Sequence, residues 1–389
     1  MSTTPAYRNL ICRITDTNQA PSLVRCSSDA FSIRPQQLTL APSGLGTSPY
    51  VAGNDFTLTA DSGVAGYTTG PLVNATLLGA ANATGVAAGS QSALGSGMLT
   101  LADVSNTAVT SATTFPNASG SPATTALALR YHDTGYLYFN AGAVYDGSFV
   151  SSSVDTPGTD CVASSGSNTL SSNLYGCQIW NTALNDVGRF KPASFAVSGS
   201  FTPSCGSFTY MSQTNLGVSM AVAAKSAQNI TSTRYGNANC PTAGSCTLAL
   251  TAWNGASQLD ITRLTPLASF PTSTAASGSG TTSSYRPAQA TTWTSGAYTV
   301  SGAAFAFARN TTTPDGPLTL SLQAAITDPD SVAIAGSNAI GPTPIRFGIL
   351  KLDSAYGSEL LPLRVPVRAM YWTGTTWSTN VSVQPHHLY

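Results

Sequence analysis

The side chains that normally cover helix surfaces are almost absent from this chain. Among its 389 residues there is one glutamate, Glu359, and there are three lysines, Lys191, Lys225 and Lys351. Exposed helix faces are usually filled with these two residue types, whereas this sequence has abundant Thr, Val, Tyr and Phe, which favour strands. We therefore expect an all-β protein with almost no helix, in which turns connect the strands.

Two stretches share one pattern at the start of a strand, which indicates an internal duplication. Residues 26–40 read CSSDAFSIRPQQLTL, and residues 187–197 read VGRFKPASFAV. The matched positions are Arg34-Pro35 with Lys191-Pro192, Leu38 and Leu40 with Phe195 and Val197, Phe56, Leu58 and Ala60 with Met220, Val222 and Ala224, and Tyr67 with Tyr235. The offset between the copies drifts along the chain, as insertions in loops produce.

The duplication predicts tandem Ig-like or Greek-key β-sandwich domains with long loops rich in Ser, Thr, Gly and Ala. We expect a cysteine-closed N-terminal segment over residues 1–28, a first sandwich over 29–188 and a second over 189–389. The long loops are expected at 80–125, 150–185 and 270–290. They are either plain surface connections or the carriers of a recognition surface.

The seven cysteines indicate disulfides and therefore an oxidising compartment. None of them has the C-x-x-C spacing of a zinc or redox site. We expect the pairs Cys12 with Cys26, Cys161 with Cys177 and Cys240 with Cys246. Cys205 is then left over, unless it pairs with Cys240 or Cys246. The alternative is a set of buried, reduced thiols.

Residues 361–369 alternate in a way that predicts a strand. Leu361, Leu363, Val365, Val367 and Ala369 share one face of that strand. Pro362 and Pro366 lie on the other face and cannot donate backbone hydrogen bonds, so we expect an edge strand or a bulge. Such an edge predicts self-association by strand addition, or pairing with a strand of another chain.

No pattern in the sequence supports catalysis, a cofactor or a metal. His132 and Asp133 are adjacent in a strand and so point to opposite faces, which places them poorly for a His–Asp hydrogen bond; we expect His132 to be half-exposed. Asp328-Pro329-Asp330 supplies fewer oxygens than calcium needs, and a simple turn is the alternative interpretation. We expect a protein that is not an enzyme.

Charge and hydropathy exclude several partners. The formal net charge is zero and only 8% of residues are charged, whereas nucleic acids and anionic membrane surfaces attract basic faces. No run of about 20 apolar residues is present that would span a membrane. An export signal is also not visible at the N-terminus.

Several stretches resemble the C-terminal β-rich region of MshQ-type bacterial surface proteins, which belong to the MSHA type IV pilus system. They are residues 26–40, 129–135, 187–197, 205–211 and 347–372, and the closest match is SAYGSELL at 354–361. The resemblance implies an extracellular or cell-surface location and a structural or adhesive role beside pilus subunits. It implies no catalytic residues.

The final domain is expected to be incomplete, because the family pattern continues into further strands after Tyr371-Trp372. The alternative function is a carbohydrate-binding or carbohydrate-active β-sandwich protein with a host or surface glycan as its partner. In that case some tryptophans would stack on sugars instead of filling the core; they are Trp180, Trp253, Trp293, Trp372 and Trp377.

Overall fold

The computed structural model describes residues 5–87, 90–184, 186–236, 247–267, 274–277, 284–286 and 293–381. Within these ranges the helical elements are single 3-10 turns at Ala75–Leu77 and Ile261–Arg263, and the other regular elements are strands. The all-β prediction is confirmed.

The chain divides into two compact units. Unit 1 comprises Met1–Ala193 and Lys225–Arg234, and unit 2 comprises Ser194–Ala224 and Tyr235–Tyr389. Residues 1–28, which we expected to form a separate segment, are part of unit 1. The predicted change of domain after residue 188 lies close to the observed change after Ala193, but the short segment 225–234 belongs to unit 1 and not to the second domain.

Unit 1 contains strands β1 to β17. Their bounds are β1 Tyr7–Leu10, β2 Arg13–Asp16, β3 Leu23–Cys26, β4 Phe31–Ile33, β5 Thr39–Ser43, β6 Tyr50–Val51, β7 Asp55–Asp61, β8 Leu72–Val73, β9 Leu78–Ala81, β10 Ser92–Ala93, β11 Leu99–Leu101, β12 Ser119–Gly120, β13 Ala123–Tyr131, β14 Gly135–Phe139, β15 Val144–Asp146, β16 Ile179–Trp180 and β17 Arg189–Lys191.

Strands β18 to β32 follow, mainly in unit 2. Their bounds are β18 Ser194–Thr202, β19 Thr209–Tyr210, β20 Leu216–Lys225, β21 Thr247–Asn254, β22 Ser257–Leu259, β23 Leu264–Pro266, β24 Thr274–Ser277, β25 Ser284–Arg286, β26 Trp293–Thr294, β27 Ala297–Phe307, β28 Leu318–Thr327, β29 Ala339–Arg346, β30 Gly348–Leu352, β31 Val367–Trp372 and β32 Trp377–Thr379.

Both units are built on the same sheet plan, which confirms the duplication. One sheet has the order β5-β7-β13-β11 in unit 1 and β18-β20-β27-β23 in unit 2. In unit 1, β14 pairs with β9 and β17 in a second sheet, and β15 pairs with β8 and β16 in a third sheet. In unit 2 the single long strand β28 takes the place of β14 and β15 and pairs with β21 and β29.

The matched residues of the two copies also occupy equivalent places. Leu38 forms a parallel bridge to Asn181, and Phe195 forms one to Ile334. The Tyr67 hydroxyl donates to Asp146 (3.0 Å) at the end of β15. In unit 2 the Tyr235 hydroxyl donates to Asp328 (2.6 Å), the residue after β28.

Alternation along the strands creates one core in each unit. In β7, Phe56, Leu58 and Ala60 are buried, and the intervening Thr57 and Thr59 are half-buried. The matched positions of β20 are buried in the same way. Each large apolar side chain buried in this manner contributes about 1.5–3 kcal/mol to folding.

The predicted Cys12–Cys26 disulfide is wrong, because the structure contains free thiols at both positions. In the β2–β3 hairpin Arg13 pairs with Cys26, and the Ser27 amide donates to the Cys12 carbonyl oxygen (2.7 Å). Neighbouring residues in a strand alternate in direction, so Cys12 and Cys26 point to opposite faces of the hairpin. Cys205 is also a free thiol. Cys240 and Cys246 lie outside the described residues.

The predicted strand 361–369 is also wrong over most of its length. Residues 361–366 form no strand, and β31 begins only at Val367. Three of the expected inward residues, Leu361, Leu363 and Val365, are exposed. Pro362 and Pro366 interrupt any ladder, as the sequence suggested, but they end the strand instead of forming its edge.

Strand β31 is the central strand of a three-stranded sheet between β30 and β32. One face of this sheet carries Ile349, Trp372 and Trp377, which pack against the core of unit 2. The other face carries Leu350 and Leu352, which are 74% and 67% exposed. An apolar face is therefore present in the C-terminal region, on β30 instead of on residues 361–366.

Candidate functional site

Unit 1 carries an insertion that unit 2 lacks. In unit 2 the bridged residue Ile334 lies six residues after Asp328, whereas in unit 1 the bridged residue Asn181 lies 35 residues after Asp146. The extra chain lies within residues 147–178, which we call the insertion loop. Loops added to a shared scaffold often carry function, because the scaffold itself is satisfied without them.

A disulfide and backbone hydrogen bonds hold the insertion loop in one shape. Cys161 and Cys177 are bonded, with their Cα atoms 5.1 Å apart, which confirms this predicted pair. Beside the disulfide, the Val162 amide donates to the Tyr175 carbonyl oxygen (2.8 Å), and the Cys177 amide donates to the Val162 carbonyl oxygen (3.0 Å). The loop is thus cross-linked in both its side chains and its backbone.

The tip of the insertion loop is a two-residue hairpin turn. The amides of Ser171 and Leu174 each donate to the other residue's carbonyl oxygen at 2.9 Å. Between them Ser172 and Asn173 both have positive φ, 52° and 62°, as a type I′ turn requires. This turn places Asn173 and the following Tyr175 at the rim of a cavity.

Arg34 connects the insertion loop to the segment that follows β4. Its Nε donates to the Gly176 carbonyl oxygen (2.7 Å) and its Nη2 to that of Ser167 (3.0 Å), while Nη1 contacts the Gln36 carbonyl oxygen (3.3 Å). The Asn168 side chain also donates to Gln36 (2.9 Å). Burial lowers the pKa of the Arg34 guanidinium from its ordinary value, yet guanidinium remains charged in proteins.

Between the insertion loop and the segment around β4 lies a cavity of about 400 Å³. This volume falls within the range of ligand pockets, roughly 300–1,000 Å³. Its lining consists of Ser32, Ile33, Arg34, Gln36, Val150, Asp155, Asp160, Cys161, Asn168, Asn173, Tyr175 and Gly176.

Two carboxylates line the cavity, and one oxygen of each accepts a hydrogen bond. One oxygen of Asp155 accepts from the Ser32 amide (2.8 Å), and one oxygen of Asp160 accepts from the Thr156 amide (2.8 Å). The second oxygen of each makes no hydrogen bond to another described residue. Together with Arg34, the lining carries a net charge of about one negative unit, which disfavours anionic ligands.

Three further polar side chains at the cavity are uncommitted. The amides of Gln36 and Asn173 and the phenol of Tyr175 make no hydrogen bond to other described residues. Tyr175 is 51% exposed, so its ring face is accessible. The cavity therefore offers amide donors, carboxylate acceptors and one aromatic face to a bound molecule.

His132 lies in the interior of unit 1. It is fully buried, in contrast to the half-exposed position we expected. Its Nε2 contacts Thr100 Oγ1 at 2.9 Å, and its Nδ1 contacts Ser226 Oγ at 3.2 Å. Burial, assisted by Arg130, lowers the pKa of His132 to about 4, so the ring is neutral at pH 7 and both nitrogens serve structural hydrogen bonds.

Asp133 anchors the segment 225–234 within unit 1. Its carboxylate is buried and accepts from Thr233 Oγ1 (2.8 Å), the Arg234 amide (2.7 Å) and the Thr134 amide (2.9 Å). Burial raises the pKa of Asp133, and the hydrogen bonds oppose that rise. The adjacent His132 and Asp133 thus hold the same segment and do not contact each other as a His–Asp pair.

The Asp328 side chain has a structural role in unit 2. Its carboxylate accepts from the Tyr235 hydroxyl, from the Asp330 amide (2.9 Å) and from the Val332 amide (3.3 Å). These bonds favour the simple-turn interpretation of Asp328-Pro329-Asp330. Within the described residues, no group of three or more His, Cys, Asp or Glu side chains is arranged to hold a metal ion.

All five tryptophans are half-buried. Trp293, Trp372 and Trp377 pack against the core of unit 2. Trp180 and Trp253 each donate their ring N–H to a neighbouring side chain at 2.8 Å. The aromatic ring available for ligand stacking at the cavity is that of Tyr175.

Of the polar residues that line this cavity, only Arg34 stands out in the sequence, and it does so through its match to Lys191, which indicates no binding role. The useful signal was the cysteine-closed stretch 150–185, which we identified as a possible recognition loop. Recognising Asp146 and Asp328 as equivalent would have exposed the insertion, but these aspartates have no shared local sequence motif.

Comparison with known protein families gives two matches to the chain. Residues 165–348 match DUF6701, third domain, and residues 346–382 match DUF6701, fourth domain. Residues 165–382 therefore match two consecutive domains of the DUF6701 family. The third-domain match begins inside the insertion loop, and the fourth-domain match contains the sheet β30–β31–β32. No curated protein matches the chain significantly.

Proposed function

We propose that the protein is a non-enzymatic, exported structural or adhesive component of a type IV pilus or a similar surface filament. The observation that carries this proposal is a disulfide, Cys161–Cys177, that closes a surface loop on a tandem, duplicated β-sandwich array. Structural disulfides persist mainly in oxidising, extracytoplasmic compartments. The resemblance to MshQ-type proteins supports the pilus association.

The test is the location of the native protein in cells of the source organism. Protease added to intact cells should digest it, and mechanical shearing should release it together with surface filaments. A control antibody against a cytoplasmic protein should detect no digestion. Complete protection of the protein in intact cells, followed by digestion after lysis, would contradict the proposal.

For the C-terminal sheet we propose a second copy of the chain as partner. Within the described residues the outer edge of β30 is unpaired, and Leu350 and Leu352 are exposed beside it. Antiparallel pairing of two β30 strands centred on Leu352 would place Lys351 of each copy opposite Asp353 of the other, which complements their charges. Other pilus subunits are the alternative partners for this edge.

Within the described residues, no helix has the length and apolar character that a membrane crossing requires. The second candidate function is carbohydrate binding, and the observation that favours it is the cavity of the insertion loop, whose lining includes carboxylate and amide side chains. This second function is compatible with an adhesive role.

A further inference from the structure

We infer that the cavity under the insertion loop binds a neutral saccharide unit. This inference rests on the proposed adhesive function and assigns it a site. The walls of the cavity are fixed by the Cys161–Cys177 disulfide and by Arg34, whose hydrogen bonds go to backbone carbonyl oxygens. Arg34 therefore shapes the site, and other side chains contact the ligand.

The uncommitted polar groups match the chemistry of sugar hydroxyls. A hydroxyl both donates and accepts. It can donate to the second carboxylate oxygen of Asp155 or Asp160 and accept from the amides of Gln36 or Asn173. Four such groups around one cavity suit a ligand with several hydroxyls better than a ligand with one charge.

The ring of Tyr175 supplies the apolar part of the contact. One face of a hexose presents C–H groups, which pack on an aromatic face, while the phenol hydroxyl stays in contact with water. Tyr175 is positioned by backbone bonds of the insertion loop to Val162 and is 51% exposed. An exposed aromatic side chain on a cross-linked loop binds with little loss of conformational entropy.

The charges of the lining select against other ligands. Asp155 and Asp160 outweigh Arg34, so sialylated or uronic-acid glycans are disfavoured. Among the described residues of the lining, the aliphatic side chains are Ile33 and Val150. A lipid chain that entered the cavity would remove water from the surrounding carboxylates and amides without replacing its hydrogen bonds, which disfavours a lipid ligand. A neutral hexose or N-acetylhexosamine is the ligand class that remains.

The experiment is a binding assay of the full chain against immobilised saccharides. The probes are neutral mono- and oligosaccharides of host type, neutral bacterial polysaccharides, and sialylated glycans and a lysine-containing peptide as counter-probes. We expect binding to at least one neutral probe, and the host and bacterial sets distinguish the two sources. Absence of binding to every neutral probe at millimolar concentration overturns the inference, and so does preferential binding of either counter-probe.

Two variants locate the bound ligand. Tyr175→Ala and Asn173→Gly remove side chains that make no hydrogen bonds to other described residues, and glycine tolerates the positive φ of position 173, so both variants should fold normally. Each should weaken binding by about tenfold, a change that is easily measured by titration. The matched control is Tyr356→Ala, which removes a tyrosine of unit 2 that is 97% exposed and should leave binding unchanged.

Unchanged affinity of Tyr175→Ala and Asn173→Gly would show that any saccharide binds elsewhere and would overturn the inference. The proposed function fails separately, in the protease test on intact cells. A surface-located protein that binds no saccharide would refute the saccharide site alone.

Discussion

Asp133 offers the sharpest test of how unit 1 is held together. Its carboxylate is the buried acceptor for Thr233 and Arg234, two residues of the segment 225–234. The substitution Asp133→Ala removes this acceptor and leaves the Arg234 amide and the Thr233 hydroxyl without it. The matched variant Asp133→Asn keeps one carbonyl oxygen in nearly the same place.

The expected magnitude follows from these contacts. A hydrogen bond to a charged group is worth about 1.5–3 kcal/mol, so two such bonds give about 3–6 kcal/mol. The burial that raises the pKa of Asp133 offsets part of this gain, so the net loss should lie near the lower end of the range. We expect Asp133→Ala to lower the free energy of unfolding of unit 1 by about 3 kcal/mol, and Asp133→Asn by about 1 kcal/mol.

Amide hydrogen exchange and urea denaturation measure this effect together. The Ala227 amide donates to Ala52 and the Ile230 amide to Ser226 Oγ, so their protection should fall in Asp133→Ala more than protection in β13. A loss below about 1 kcal/mol, with unchanged exchange over 225–234, would refute the anchoring role. Equal loss in both variants would show that the negative charge, and not the acceptor geometry, is what matters.

Three further predictions concern other parts of the chain. Burial holds the pKa of His132 near 4, below its ordinary value of about 6.5. His132 should therefore contribute about 3 kcal/mol to the free energy of unfolding, which is fully present above about pH 6.5 and is lost as the pH falls toward 4. Urea titrations of His132→Gln should show a flatter pH dependence of the free energy of unfolding, and an identical slope would contradict this. Replacing both Cys161 and Cys177 by serine should lower stability by about 3 kcal/mol, because the bond closes a loop with a sequence separation of 16; an unchanged unfolding midpoint in calorimetry would show that the loop is not coupled to the unit. Leu350→Ser combined with Leu352→Ser should shift the sedimentation coefficient of the chain from that of a dimer to that of a monomer, and a wild-type protein that is already monomeric at high concentration would refute pairing through β30.

The strand character of this chain could be predicted because it depends on local rules. Alternating patterns such as Phe56, Leu58 and Ala60 have a period of two, and that period alone determines which side chains share a face. The duplication could be found for the same reason, since Tyr67 and Tyr235 follow similar strands in both copies. The Cys161–Cys177 disulfide could also be predicted from the sequence, because both cysteines lie in one loop.

The predictions that were wrong concern residues whose structure depends on a partner strand or a partner cysteine. The alternation in 361–369 satisfied the local rule, but a strand also needs a neighbour with free donors and acceptors, and Pro362 and Pro366 prevent a continuous ladder. Cys12 and Cys26 are close in sequence, yet the register of their hairpin turns the two thiols to opposite faces. Register depends on the whole hairpin and its packing, and spacing between cysteines does not reveal it.

The sequence by itself determined the all-β class, the two similar sandwiches and the disulfide-closed loop, because period, composition and spacing act over short distances along the chain. Only the tertiary structure decided which polar side chains meet. Arg34 precedes Tyr175 by more than a hundred residues, and the two line one cavity because the insertion loop folds back over the segment around β4. His132 became a buried anchor for the same reason: the residues that surround it, Thr100 and Ser226, come from distant strands and segments.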